Sequence, residues 1–80
     1  MAAEQEVREA LKYIDPAKLS YQEWLNVGMA IKDDGHPCSL WDEWSKGDPG
    51  RYDGKCWAKW ESLQSNGITI KTLFKMAYDG

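Results

Sequence analysis

The chain has little that would serve chemistry at a site. Among its 80 residues there is one histidine, His36, and two cysteines, Cys38 and Cys56, with no C-x-x-C pair. Structural zinc wants four soft ligands in close-spaced pairs, and His36, Cys38 and Cys56 supply three at most. His36 stands in a Gly-His-Pro loop, which reads as a solvated residue rather than a catalytic base. A catalytic set needs a nucleophile, a base and a group that orients them, and no such constellation is present. No apolar run is long enough to span a membrane, and there is no secretory h-region. Position 2 is alanine, so a myristoylation signal is missing. These absences point to a reducing cytoplasm, with both thiols free and no metal or cofactor. Cys56 reads as a core residue on a helix face and Cys38 as a loop thiol.

Strands are missing too. No run alternates β-branched and polar residues with period two, and no repeat or low-complexity segment occurs. Strong positive charge is also lacking: ten Lys and Arg stand against thirteen Asp and Glu, a net charge of -3. That argues against a strongly basic, non-specific nucleic-acid binder. The balance is uneven, however. Residues 1–40 carry four basic and seven acidic side chains, and residues 41–80 carry six of each. Phosphate contacts are therefore expected in the second half.

What the chain does have is tryptophan. Five occur, Trp24, Trp41, Trp44, Trp57 and Trp60. A domain of this size buries only about 60% of the surface its unfolded chain exposes, so its core must be dense. Each buried aromatic removes roughly 150–250 Å² from water. Trp24 and Trp60 are the expected anchors of a Trp-rich core.

Five helical segments follow from periodicity and punctuation. The first spans about Glu4 to Ile14, with Val7, Ala10, Leu11 and Ile14 on one stripe and Asp15-Pro16 as its stop. The second opens on Ser20-Tyr21-Gln22-Glu23, a capping box, and ends at Gly35 in a left-handed cap. Gly28 in its interior costs about 1 kcal/mol against alanine. Its use there suggests an indole lying on bare backbone. The third segment, about Leu40 to Lys46, takes Ser39 as N-cap. The fourth, about Gly54 to Leu63, takes Asp53, with Cys56, Trp57, Trp60 and Leu63 as its apolar stripe. Ser65-Asn66-Gly67 breaks the chain before a fifth, about Ile70 to Tyr78, capped by Thr69. The expected architecture is all-α, a compact bundle or orthogonal array of about five short helices in one domain spanning residues 1–80. A chain that opens on an amphipathic helix and closes at Tyr78-Asp79-Gly80 reads as a module excised from a longer protein, and as a monomer.

Binding residues are sought among the cations. Lys55 and Lys59 are one turn apart on the fourth segment, and Lys71 and Lys75 on the fifth. Lys46 and Arg51 flank the preceding loop. Aligned, these six would form a stripe for phosphates. The competing reading is an ordinary solvated face, which the net negative charge favours. Most Trp fall on core stripes. Trp41 falls off the line through Leu40 and Trp44, and Tyr52 sits in a loop, so these two are the candidates for exposed, base-stacking aromatics, with core packing as the default. The run Gly50-Arg51-Tyr52-Asp53-Gly54-Lys55-Cys56 misses the phosphate-binding loop by one residue of spacing and by Cys in place of Ser or Thr.

Several pieces in order carry a resemblance. They are Ala10-Leu11-Lys12-Tyr13-Ile14-Asp15-Pro16, then Tyr21-x-x-Trp24-Leu25-x-Val27-Gly28-Met29-Ala30-Ile31-Lys32, and Leu40-Trp41-Asp42-Glu43-Trp44-Ser45 with the Tyr52-Asp53 turn. Lys59-Trp60-Glu61-Ser62 and Ile68-Thr69-Ile70-x-Thr72-Leu73-Phe74-x-x-Ala77 complete the set. Together, over about Glu6 to Tyr78, they resemble the second type of primase C-terminal domain (PriCT family). The resemblance implies an all-helical, non-catalytic module attached to primase catalytic domains of phages, plasmids and integrated elements, often with a helicase nearby. The implied role is accessory: handling single-stranded or primer-template DNA in replication, or docking primase to its helicase. For the docking role, the acidic first half, with Glu4, Glu6, Glu9, Asp33 and Asp34, is the candidate surface.

Overall fold

Helix α2, Tyr21–Asp33, is the element on which the others are laid. In the computed structural model, which describes residues 1–64 and 66–79, it receives α5 (Ile70–Asp79) and α3 (Cys38–Ser45). Helix α1 (Glu4–Leu11) packs on α5, and α4 (Cys56–Ser62) packs on α3. A short 3-10 turn, Pro16–Lys18, links α1 to α2. No strand occurs among the described residues, so the fold is all-α.

Both ends of α2 form as the sequence indicates. The Ser20 hydroxyl accepts the Glu23 N–H at 3.1 Å, and the Glu23 carboxylate accepts the Ser20 N–H at 2.9 Å. The bond from the Ser20 backbone N–H is the larger cause that holds the Glu23 carboxyl below its usual range, and the Ser20 side chain adds to it. At the other end Gly35 takes φ +82°, its N–H reaches the Lys32 carbonyl, and the His36 N–H reaches that of Ile31. That pair of bonds satisfies the orphan carbonyls of the last turn.

The core is centred on Trp41, not on Trp24 or Trp60. Trp41 is 0% exposed. Its ring stacks on Trp24 at 4.4 Å and tilts against Trp60 at 5.9 Å, and its N–H donates to the Trp24 carbonyl at 3.3 Å. Trp24 and Trp60 are half-buried at its flanks. Of the two readings of Trp41, core packing holds and the exposed, base-stacking one falls: α3 is covered by α2 on one side and α4 on the other, so a position off its main line is still inside. The indole lies against Gly28, where a Cβ would fall 2.7 Å from Trp41 Cε2 and 2.8 Å from Leu63 Cδ1. The glycine is therefore a packing requirement.

Several expected boundaries move. Helix α1 closes at Leu11, and the N–H groups of Lys12, Tyr13 and Ile14 each bond three residues back, a tighter turn that still buries Ile14. Helix α3 starts at Cys38, with Pro37 rather than Ser39 at the N-cap, because proline has no N–H to leave unpaired there. Cys38 is therefore helical and half-buried, not in a loop. Asp53 does not cap α4. Gly54 has φ +75°, outside the helical region, and the Asp53 carboxylate accepts the Lys55 N–H at 2.9 Å in a turn before the helix. Trp57 was expected on the buried stripe and is 62% exposed, since Cys56, Trp60 and Leu63 alone keep i, i+4, i+7 spacing. Asn66 and Gly67 have left-handed backbone, as a break between α4 and α5 requires; Ser65 and Gly80 lie outside the described residues. Thr69 occupies the position before α5.

Polar clasps close the bundle. Lys32 on α2 donates to the carbonyls of Trp60 (2.7 Å) and Leu63 (3.0 Å), capping the seven-residue α4. Trp44 donates to the Ile14 carbonyl at 2.9 Å and Trp24 to the Ser45 hydroxyl at 2.8 Å. His36 is not a solvated loop residue. It is 8% exposed, with Nε2 2.9 Å from the Asp34 carboxylate, which also accepts the Ala2 N–H at 2.8 Å. Burial pushes the Asp34 carboxyl up, but the bonds from Ala2 and His36 together bring it below its usual range.

Two outcomes follow. Gly28→Ala gains about 1 kcal/mol of helix propensity but overpacks a rigid ring, which costs about 1–3 kcal/mol. Denaturant unfolding is expected to show net destabilisation, and a more stable variant would refute the Trp41–Gly28 contact as a constraint. Ionised Asp34 stabilises the fold above its ordinary pKa of 3.8, and the contribution is lost as pH falls through its lower folded value. The stability gap between wild type and Asp34→Asn is expected to be full at neutral pH and to close in acid below that value.

Candidate nucleic-acid interface

The α3–α4 connection folds back across the start of α2, and the sequence of that connection explains why. Arg51 donates to the carbonyls of Pro16 and Leu19, each at 2.8 Å, and pairs with Asp48. The Pro16 carbonyl also accepts the Leu19 N–H at 3.3 Å in the 3-10 turn, and the guanidinium ties it and the Leu19 carbonyl to the connection. Tyr52 is then set against α3: its hydroxyl donates to the Asp42 carboxylate at 2.9 Å, which holds the phenol above its usual range, with burial adding to the effect. Tyr52 is half-buried, so the default reading of a packed ring holds over the candidate reading of a free loop aromatic.

Between this connection, the first turn of α2 and α4 lies a cleft of about 350 Å³. Its aromatic lining comes from Tyr21, Trp24 and Tyr52, and its cations from Arg51, Lys55 and Lys59. Asp48 and Asp53 also border it; Asp48 is engaged by Arg51 and Asp53 by the Lys55 N–H. Lys59 reaches across from α4 to α2. Its ammonium donates to the Tyr21 hydroxyl and stands 5.2 Å from the centre of the Tyr21 ring. The bond to Tyr21 raises the Lys59 pKa, so the group stays charged. Tyr21 in turn lies 5.7 Å from Trp24, which stacks on Trp41. The exposed aromatic of the cleft is thus the outer end of a series of rings that runs into the core.

The structure sorts the six candidate cations. Arg51, Lys55 and Lys59 line the cleft, while Lys46 sits outside it, 4.0 Å from Asp42 and 6.0 Å from the Tyr52 ring centre. Lys71 and Lys75 are exposed on α5, which packs on α1 and α2, and neither lines the cleft. Trp41 is enclosed and has no face for a base. Two aromatics escape the sequence reading. Tyr21 is hidden as the first residue of a capping box, and its partner Lys59 is 38 residues away with no periodic signal to join them. Trp57 was legible in principle, since it breaks the i, i+4, i+7 spacing of its neighbours.

The other candidate groups are quieter. Burial pushes both the Cys38 and Cys56 thiols up, which disfavours the thiolate, and both are free. Among the acidic residues of the first half, Glu4 pairs with Arg8 and Glu9 with Lys12. Asp34 is withdrawn into its bonds with His36 and Ala2 and does not belong to an open acidic surface. No helix of the described residues is long and apolar enough to cross a membrane.

A family model described as Primase C terminal 2 (PriCT-2) matches residues 7–77. No curated protein and no solved structure gives a match.

Of the cleft's cations, Arg51 holds backbone carbonyls of another element, whereas the Lys59 ammonium bonds only a side-chain hydroxyl at the surface. Arg51→Ala removes charged donors from two carbonyls, and a loss of about 1–2 kcal/mol of stability is expected after allowance for solvent screening. Lys55→Ala and Lys59→Ala should stay within about 0.5 kcal/mol of wild type. Thermal unfolding of the three variants checks this, and an Arg51→Ala protein as stable as the lysine variants would contradict it.

Proposed function

The chain belongs to the Primase C terminal 2 family, and from that premise we propose that it is a non-catalytic accessory domain that holds single-stranded template or primer DNA in the cleft between α2 and α4. Membership makes it a primase-associated domain. What it does for a primase is read from the cleft.

The carrying observation is the union of Tyr21 with Lys55 and Lys59 on one concave surface of a chain whose net charge is negative. A nucleotide offers a flat π face and a phosphate. An aromatic ring beside two ammonium groups meets both needs, and base–aromatic stacking contributes about 1–3 kcal/mol per base whatever the base. Lys59, bonded to the Tyr21 hydroxyl, holds its charge next to the ring and not at a random distance from it. Duplex readout needs an element that enters a groove, and α4, with seven residues, is short for that task. The cleft favours an unstacked strand. Since only a few phosphates are met, binding is modest and falls with salt. In the parent protein the primase catalytic part supplies the chemistry, and a helicase domain is a further neighbour under this reading.

Fluorescence anisotropy with labelled single-stranded oligonucleotides tests it at low and moderate salt. Wild type is expected to bind with a salt slope that drops by about 0.7 for each lysine removed in Lys55→Ala and Lys59→Ala. Tyr21→Ala should weaken binding by about 1–3 kcal/mol without changing the slope. Lys71→Ala and Lys75→Ala should bind like wild type. Absence of binding at low salt would sink the proposal, and sensitivity at α5 in place of α4 would move the site off the cleft.

A further inference from the structure

A second concave surface lies between α1 and α5 and shares no lining residue with the DNA cleft. It is an open groove of about 820 Å³. Its floor is made of small and apolar side chains, with Ala10 buried and Ala77 and Phe74 half-buried. Two tyrosines stand along it with almost nothing to cover them: Tyr13 is 70% exposed and Tyr78 is 91% exposed. The charged residues that line it are Glu6 and Glu9, and no lysine or arginine does so among the described residues. Glu9 shares its charge with Lys12, whereas Glu6 makes no ion pair within that same set.

We propose that this groove docks an amphipathic helix of a partner protein, one with apolar residues on the seated face and lysine or arginine along its flank. An alanine floor between tyrosine walls admits an inserted apolar side chain, which is how a helix seats in a groove. Tyrosine supplies large contact area at low conformational cost, which is why it is enriched among anchoring residues. Carboxylates of one sign along the groove select a basic flank and reject an acidic one. The same carboxylates disfavour phosphate, so the groove and the cleft take ligands of opposite charge. A second copy of this chain is a poorer occupant, because two such grooves brought face to face would set Glu6 and Glu9 against their own equivalents.

The test uses the whole chain and two synthetic helical peptides of about 16 residues, long enough to hold a helix. Both carry leucine at i, i+3, i+7 and i+10 spacing; one has lysine at the flanking positions and the other glutamate. Amide shifts followed by NMR are expected to move at Ala10, Tyr13, Ala77 and Tyr78 with the lysine peptide only. Tyr13→Ala and Tyr78→Ala, both at exposed positions, should each weaken that binding roughly tenfold. Glu6→Lys combined with Glu9→Lys should reverse the preference to the glutamate peptide, which a merely sticky apolar patch would not do. Equal binding of both peptides, or binding of neither, would overturn the proposal. So would a sedimentation mass that doubles with concentration in wild type and not in Tyr78→Ala, which would give the groove to a second copy. Single-stranded DNA binding at the cleft stays unchanged in the tyrosine variants, so failure here and failure there are separate results.

Discussion

The contact between the Trp41 ring and the bare backbone of Gly28 sets the geometry of the domain. An indole can lie this close to a helix only where no Cβ intervenes, so α3 approaches α2 at one place along its length. Once Trp41 is seated, Trp24 stacks on one side of it and Trp60 tilts against it on another, which fixes α4 relative to both helices. Leu63 closes over the same glycine, and Lys32 then finds the last carbonyls of α4 within reach. A chain of this length cannot bury a broad aliphatic core. It gains its density by stacking wide rings on a helix with a gap cut into it.

The cleft between α2 and α4 is a by-product of that arrangement. Tyr21 is one turn before Trp24 on α2, so the same face that feeds the core ends at the surface in a ring. Lys59 lies one residue before Trp60 on α4, and the Trp41–Trp60 contact brings it over Tyr21. Arg51 completes the wall by stitching the α3–α4 connection to the 3-10 turn. The site is therefore rigid through its supports, although its own lysines are exposed. Preorganisation of this kind reduces the ordering cost of binding, which matters where few contacts are made.

Residues close in sequence were the legible ones. The Ser20–Glu23 box, the Gly35 cap and the Gly28 approach all depend on neighbours within a turn or on a single backbone requirement, and each could be read directly. The helix starts at Cys38 and Cys56 were harder, because Ser39 and Asp53 carry capping chemistry that the chain uses otherwise or not at all. The central place of Trp41 was harder to read than its burial, because a helix covered on two sides has no single buried line. The cleft required knowing that residue 21 meets residue 59 and that residue 51 meets residues 16 and 19. These are long-range contacts made by polar groups, and neither periodicity nor charge counting encodes them. What sequence could supply was the family pattern, and it consists mostly of packing residues, so it conveyed the fold more completely than the site.

Helix α2 links the two surfaces of opposite character. Its first turn walls the cationic cleft, and the helix also packs against α5, which with α1 forms the acidic groove. Neither surface touches the other's residues, yet both are referenced to one thirteen-residue helix whose ends are both capped. A ligand in the cleft and a partner in the groove would be held at a fixed relative position without a hinge between them. Under the proposed reading, a strand and a protein partner would be kept in register by one small rigid body. The net charge of the chain agrees with this division, because an overall excess of carboxylate suppresses indiscriminate phosphate binding while a local group of cations permits it at one place.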